Sequence, residues 1–323
     1  MKIRLVLLFI CLNSDGPLAM AVDLTELKAR AEKGDATAQW VLGVNYLNGD
    51  GVAKDPAVGV KWYRMAAEQG NALAQWELGL RYLEGDGVAK NPVEGVKWIR
   101  KVADQGDALA QTNLGRCYDL GNGVAKDPAE GAKWHRKAAE QGNALAQFML
   151  GRCYDLGGGV IKDKVEAVKW YRSAAEQGEA MAQFSLGVSY ERGQGVTKDE
   201  AEAVKWYRKA AEQGDRAAKY NLFVSYSEGK GVIKNEVEAT KWLRKAAEHG
   251  DAEAQVRLGC FYLLGKNVVK DPIQAYAWFN LAEAKGDEQA RKFRMDAELV
   301  MTPKQKTEAT KLARELQAKV EKR

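Results

Sequence analysis

Between Gly142 and Gln177 the apolar positions lay out two elements in succession. Ala144, Ala146, Leu150, Gly151 and Tyr154 fall at helical spacing, which puts them on one face of an amphipathic helix. Gly157-Gly158-Gly159 then stops that helix, because glycine readily takes the left-handed conformation that follows a helix end. Asp163 offers an N-cap side chain, and Glu166 three residues later completes a capping box for a second helix. That helix carries Ala167, Trp170 and the Ala174-Ala175 pair. The segment predicts two helices joined by a glycine turn.

The same pattern returns along most of the chain. Tryptophans stand at positions 62, 98, 134, 170, 206, 242 and 278, each 36 residues from the next. Gly34, Gly70, Gly106, Gly142, Gly178, Gly214, Gly250 and Gly286 keep the same interval. Asp or Asn stands at the second-helix cap at 55, 91, 127, 163, 199, 235 and 271, and Glu or Gln completes the box in every unit except the one with Val58. A fixed period of this size marks a solenoid, in which each unit buries its apolar face only against its neighbours. The expected class is all-α, with seven 36-residue helix-turn-helix repeats over residues 34–285. Residues 22–33 read as an N-terminal capping helix. Residues 286–323 read as C-terminal capping helices, the last from Thr302-Pro303 to about Leu316. The repeated tryptophans read as packing between units, since one helical position recurs throughout.

Composition adds an address and removes some function classes. Lys2 and Arg4, the run Leu5 to Leu12 and Ala19-Met20-Ala21 form a charged start, an apolar core and a small-x-small cleavage site. Residues 1–21 are therefore expected to be an export signal, too short in its apolar part for stable membrane insertion. Cys11 follows the bulky Ile10, which argues against lipidation. The formal net charge is +5. The segment from Gly286 onward holds ten Lys/Arg against seven Asp/Glu, so the array is nearly neutral and lacks the basic stripe of a nucleic-acid binder. Cys117, Cys153 and Cys260 are too few and too far apart for a disulfide framework.

The recurring A-x-A-Q-x-x-L-G-x-x-Y-x-x-G-x-G-V…K-D…A-x-K-W-Y-x-K-A-A-E-Q-G pattern resembles the Sel-one-like repeat, a relative of the tetratricopeptide repeat. The resemblance implies a right-handed α/α superhelical solenoid. It also implies a non-catalytic scaffold in the cell envelope, periplasmic or released, that docks a protein or peptide partner in its concave groove. A monomer without cofactor is expected. By the same resemblance, the variable first-helix positions at the fourth, seventh, eleventh and fourteenth residues of each unit, counted from its glycine, line that groove. They contribute Trp40, Trp76, Phe148, Phe184 and Tyr220 from one row, Leu80, Arg116 and Arg152 from a second, and Asp119 and Asp155 from a third. Aromatic and Arg side chains are common in binding hot spots. Arg116 and Arg152 are expected either to meet partner carboxylates or to pair with Asp119 and Asp155.

Other motifs change this picture little. Lys61, Lys97, Lys133, Lys169, Lys205 and Lys241, each followed three residues later by Arg, form a basic row. Nearby acids are expected to balance it. In the sixth repeat Phe223 replaces the glycine found at 43, 79, 115, 151, 187 and 259, which predicts splayed helices or an outward-turned ring. The alternative function is a β-lactam- or peptidoglycan-directed hydrolase or binder. Its only motif is Ser227-Glu228-Gly229-Lys230, which straddles a glycine turn and lacks companion motifs. His135 and His249 sit at unrelated repeat positions, and no residue set has metal-ligand spacing.

Overall fold

The computed structural model describes residues 24–321. The expected export signal, Cys11 and the cap at Asp23 lie outside the described residues. Seventeen helices and no strand occur among the described residues. They fall into two units, one of described residues 24–105 with 122–124, the other of 106–121 with 125–321.

The first unit contains α1 (Leu24–Glu32), α2 (Ala36–Asn48), α3 (Pro56–Glu68), α4 (Ala72–Glu84) and α5 (Pro92–Asp104). Consecutive helices pack on one another, and Leu47, Val60, Tyr63, Leu78 and Trp98 share one core cluster with Trp40. The second unit contains α6 (Ala108–Leu120), α7 (Pro128–Glu140), α8 (Ala144–Leu156), α9 (Lys164–Glu176), α10 (Ala180–Arg192) and α11 (Glu200–Glu212). It continues with α12 (Arg216–Glu228), α13 (Glu236–Glu248), α14 (Ala252–Leu264), α15 (Pro272–Glu283), α16 (Glu288–Leu299) and α17 (Pro303–Glu321). From α6 to α16 consecutive helices pack on one another, as a solenoid requires. The terminal helix α17 folds back onto α15 and α13. It outruns the expected end near Leu316 because Leu316 and Val320 still pack against the core. Its start is a capping box: the Gln305 amide donates to Thr302 Oγ1, and Gln305 Oε1 accepts from the Thr302 amide.

The caps form where the sequence places them. Asp163 Oδ1 accepts from the Val165 and Glu166 amides at 2.9 and 3.0 Å, and the equivalent Asp or Asn caps every second helix. The first helices also carry caps that the pattern above does not include, such as Asn143 Oδ1 accepting from the Ala146 amide at 2.9 Å. The second glycine of the turn has a packing role. Gly159 adopts φ +77° against the start of α7, and a side chain there would overlap the Pro128 carbonyl. Asn267 takes the same left-handed conformation in the last turn, at φ 59°.

Two internal ladders tie neighbouring repeats together. Gln147 Nε2 donates to the Ala139 carbonyl at 3.2 Å, while Gln147 Oε1 accepts from Gln177 Nε2 at 2.7 Å. The same pairing links Gln39 with Gln69, Gln75 with Gln105, Gln111 with Gln141 and Gln183 with Gln213. The basic row behaves differently from its expectation. Five of its six lysines, all but Lys61, pair with the capping-box acids, as Lys205 does with Glu202 at 2.8 Å. Its arginines instead reach the next first helix: Arg172 donates to the Tyr190 hydroxyl at 2.7 Å and Arg244 to that of Tyr262 at 2.6 Å. The guanidinium is long enough to cross between repeats, so this half of the row pins units together instead of balancing charge locally.

Phe223 does not turn its ring outward, the second of its two expected outcomes. It is buried, with its ring 5.7 Å from that of Tyr220 and 6.1 Å from that of Phe261. The reason lies across the helix pair. Where a glycine occupies the first helix, its partner is commonly a ring, as Tyr207 is to Gly187. In repeat six the partner position is Leu243, so bulk has moved from one helix to the other.

Candidate functional site

An open trough of about 720 Å³ lies within the second unit, where α6, α8 and the start of α10 come together. Leu120, Leu145, Met149, Leu156 and Met181 give it an apolar wall, with Phe148 at its base. Phe148 is itself buried, its ring 5.9 Å from that of Tyr171. Arg116, Arg152 and Lys126 bring cationic groups to the same trough. All three are exposed, and none makes an ion pair among the described residues. Arg152 extends over the Phe148 ring, with its guanidinium carbon 5.8 Å from the centroid.

The carboxylates expected to answer these arginines are engaged elsewhere. Asp119 Oδ2 lies 3.0 Å from Nε2 of His135, a ring with no exposed surface. Asp155 pairs with Lys164 at the start of α9. Of the two expectations for Arg116 and Arg152, internal pairing with these acids is therefore absent. The cause is geometric: Asp119 and Asp155 point from the first helix toward the second helix of their own repeat. Glu191 follows them, accepting from the Tyr207 hydroxyl at 2.8 Å.

The remaining candidates divide by location. Arg116, Asp119, Phe148 and Arg152 meet at the trough, whereas Asp155, Phe184 and Tyr220 do not line it. Phe184 and Tyr220 are half-buried. Phe184 packs 5.8 Å from Tyr207, and the Tyr220 hydroxyl donates to Glu253. Trp40, Trp76 and Leu80 belong to the first unit, with Trp40 buried in its core and the other two half-buried. Lys126 and Met149 are trough residues that the groove pattern did not include. Lys126 lies in the interhelix turn, and Met149 lies on a helix position outside the expected groove face.

The chemistry available at the trough is recognition by charge and apolar contact. Cys153 lies in it, but burial, with a contribution from Asp119, pushes the thiol up to about 11. Burial likewise raises Cys117. A thiol held protonated is a poor nucleophile. All three described cysteines are free. Ser227 Oγ donates back to the Phe223 carbonyl at 2.7 Å, and Lys230 pairs with Glu228 at 2.6 Å. The S-x-x-K serine and lysine are thus each bonded to another partner. No group of three metal-ligating side chains occurs among the described residues. No helix among them is long and apolar enough to cross a membrane.

Comparison with known proteins places these features in a family. The Sel1 repeat model matches residues 36–71, 72–107, 108–143, 144–179, 180–215, 216–251 and 252–287. A Sel1 repeat protein from Oxalobacter formigenes is 36% identical, with a TM-score of 0.75 over 84% of this chain and 78% of its own. A protective antigen of uropathogenic Escherichia coli strains, with the SLR fold, is 35% identical. It aligns with a TM-score of 0.58 over 92% of this chain and 71% of its own. No curated protein matches the sequence. Seven consecutive matches, together with helix pairs that stack in sequence order, make the chain a member of the Sel1 repeat family.

Proposed function

We propose that this protein is an exported, non-catalytic scaffold that docks a polypeptide partner in the trough of its second unit. Sel1 repeats generally serve as protein-interaction scaffolds. The observation that carries the finer reading is the pair Arg116 and Arg152, exposed and without ion pairs beside an apolar wall. Exposed arginine among apolar side chains is the composition of a binding hot spot. Export to the periplasm or beyond rests on the charged, apolar and small-residue pattern of residues 1–21. It agrees with a 35%-identical relative being a protective antigen. The hydrolase alternative gains no support from Ser227, whose hydroxyl is bonded to its own helix.

Site-specific photocrosslinking in the native envelope tests this reading. A benzophenone side chain replacing Met149 in the trough is compared with one replacing Lys133, which is exposed on α7. The expected result is a discrete crosslinked polypeptide from position 149 alone. Equal capture from both positions, or none from 149, contradicts it.

A further inference from the structure

The trough has more positive than negative charge left to share, and its geometry specifies what kind of segment can use it. Asp119 is the one carboxylate in the lining, and it is committed to His135 at 3.0 Å. Arg116 and Arg152 occupy equivalent positions 36 residues apart on α6 and α8, two helices that touch directly. Packed helices lie roughly 8–10 Å apart, so the two guanidinium groups start from points about that far from each other. Leu145, Met149 and Met181 provide the apolar surface of the same trough. An extended polypeptide in the polyproline II conformation rises about 3.1 Å per residue with three residues per turn. Two carboxylates three residues apart on such a segment share one face about 9 Å apart, and span the arginine pair.

We propose that the trough selects an extended acidic segment in which two carboxylate side chains, about three residues apart, flank aliphatic residues. The inference rests on the docking reading above and deepens it. Each guanidinium offers a planar fork that can grip a carboxylate through two N–H···O bonds. Lys126 adds a third cation at the turn before α7. The aliphatic residues between the acids face the Leu145 and Met149 side chains. A neutral amide analogue keeps the shape and loses the charge-assisted bonds. A free fatty acid would offer one carboxylate to two arginines, so it fits the charge pattern less well.

The test uses fluorescence anisotropy with the full mature chain and a labelled dodecapeptide containing Asp-Leu-Leu-Asp. Controls are the same peptide with Asn-Leu-Leu-Asn, and sodium laurate as competitor. The expected result is binding at least roughly tenfold tighter for the acidic peptide, since a lost charge-assisted bond costs on that order. The preference should shrink as salt rises. Arg116→Ala with Arg152→Ala should abolish it while leaving thermal unfolding unchanged, because both side chains are exposed. Should that variant unfold, the salt dependence of the unaltered chain still decides. Equal affinity for the two peptides, a salt-independent preference, an unaffected folded double variant, or displacement by laurate at lower concentration than peptide would overturn the inference. None of these outcomes touches the crosslink at position 149, which decides the docking reading separately.

Discussion

At the scale of single residues, the repeat is governed by where bulk is permitted. A methyl group added at Gly187 would lie 2.7 Å from two carbons of the Tyr207 ring, which has no exposed surface in which to retreat. Overpacking of this kind costs about 1–3 kcal/mol, whereas glycine in a helix interior forgoes about 1 kcal/mol relative to alanine. Gly187→Ala should therefore destabilise the protein. In a Tyr207→Leu background, which copies the arrangement of Phe223 with Leu243, the same substitution should become neutral or stabilising. Urea unfolding of the four-member cycle reads the sign, and the same cost in both backgrounds would contradict the volume exchange. The glycine at 187 was legible from its recurrence in the sequence. The exchange was not, because it pairs two positions that the sequence separates by twenty residues. The outward-turned ring, one of the two outcomes expected of Phe223, followed from considering one helix without its partner.

At the scale of helices, the caps and stops were legible because their chemistry is local. A cap needs one side chain within three residues of the amides it satisfies, as Asp163 has. The glutamine ladder needed the fold, since Gln147 meets Gln177 only when the two helices of its repeat pack, and Ala139 only when two repeats stack. The arginine-tyrosine pins needed it for the same reason, with eighteen residues between Arg172 and Tyr190. Gln147 is buried and satisfies two partners at once, so Gln147→Leu removes both bonds and leaves the Gln177 amide without its acceptor. Gln177 retains a weaker bond to the Ser173 carbonyl at 3.3 Å, and the Ala139 carbonyl still accepts from Gly142. A loss of about 1–2 kcal/mol is expected, within the range for an interior hydrogen bond broken from one side. Chemical denaturation measures it, and an unchanged midpoint would mean that the ladder contributes nothing to cohesion.

At the scale of the whole molecule, the 36-residue period gave the all-α architecture directly. The site was only partly visible. Four of the ten candidate residues gather at the trough, because a row of equivalent positions need not stay open from one repeat to the next. Phe148 is covered by Tyr171, whereas Arg116 and Arg152 are too polar to bury and remain at the surface. The proposed docking surface therefore spans the third and fourth repeats and the start of the fifth instead of running along the array. Methionine methyl NMR measures this localisation directly, with the polypeptide captured at position 149 as titrant. Met149 and Met181 line the trough, and Met295 stands exposed on α16 well outside it. The expected result is perturbation of the Met149 and Met181 methyl signals with Met295 unmoved. Saturable binding that shifts Met295 and leaves Met149 and Met181 in place would contradict the trough as the docking surface.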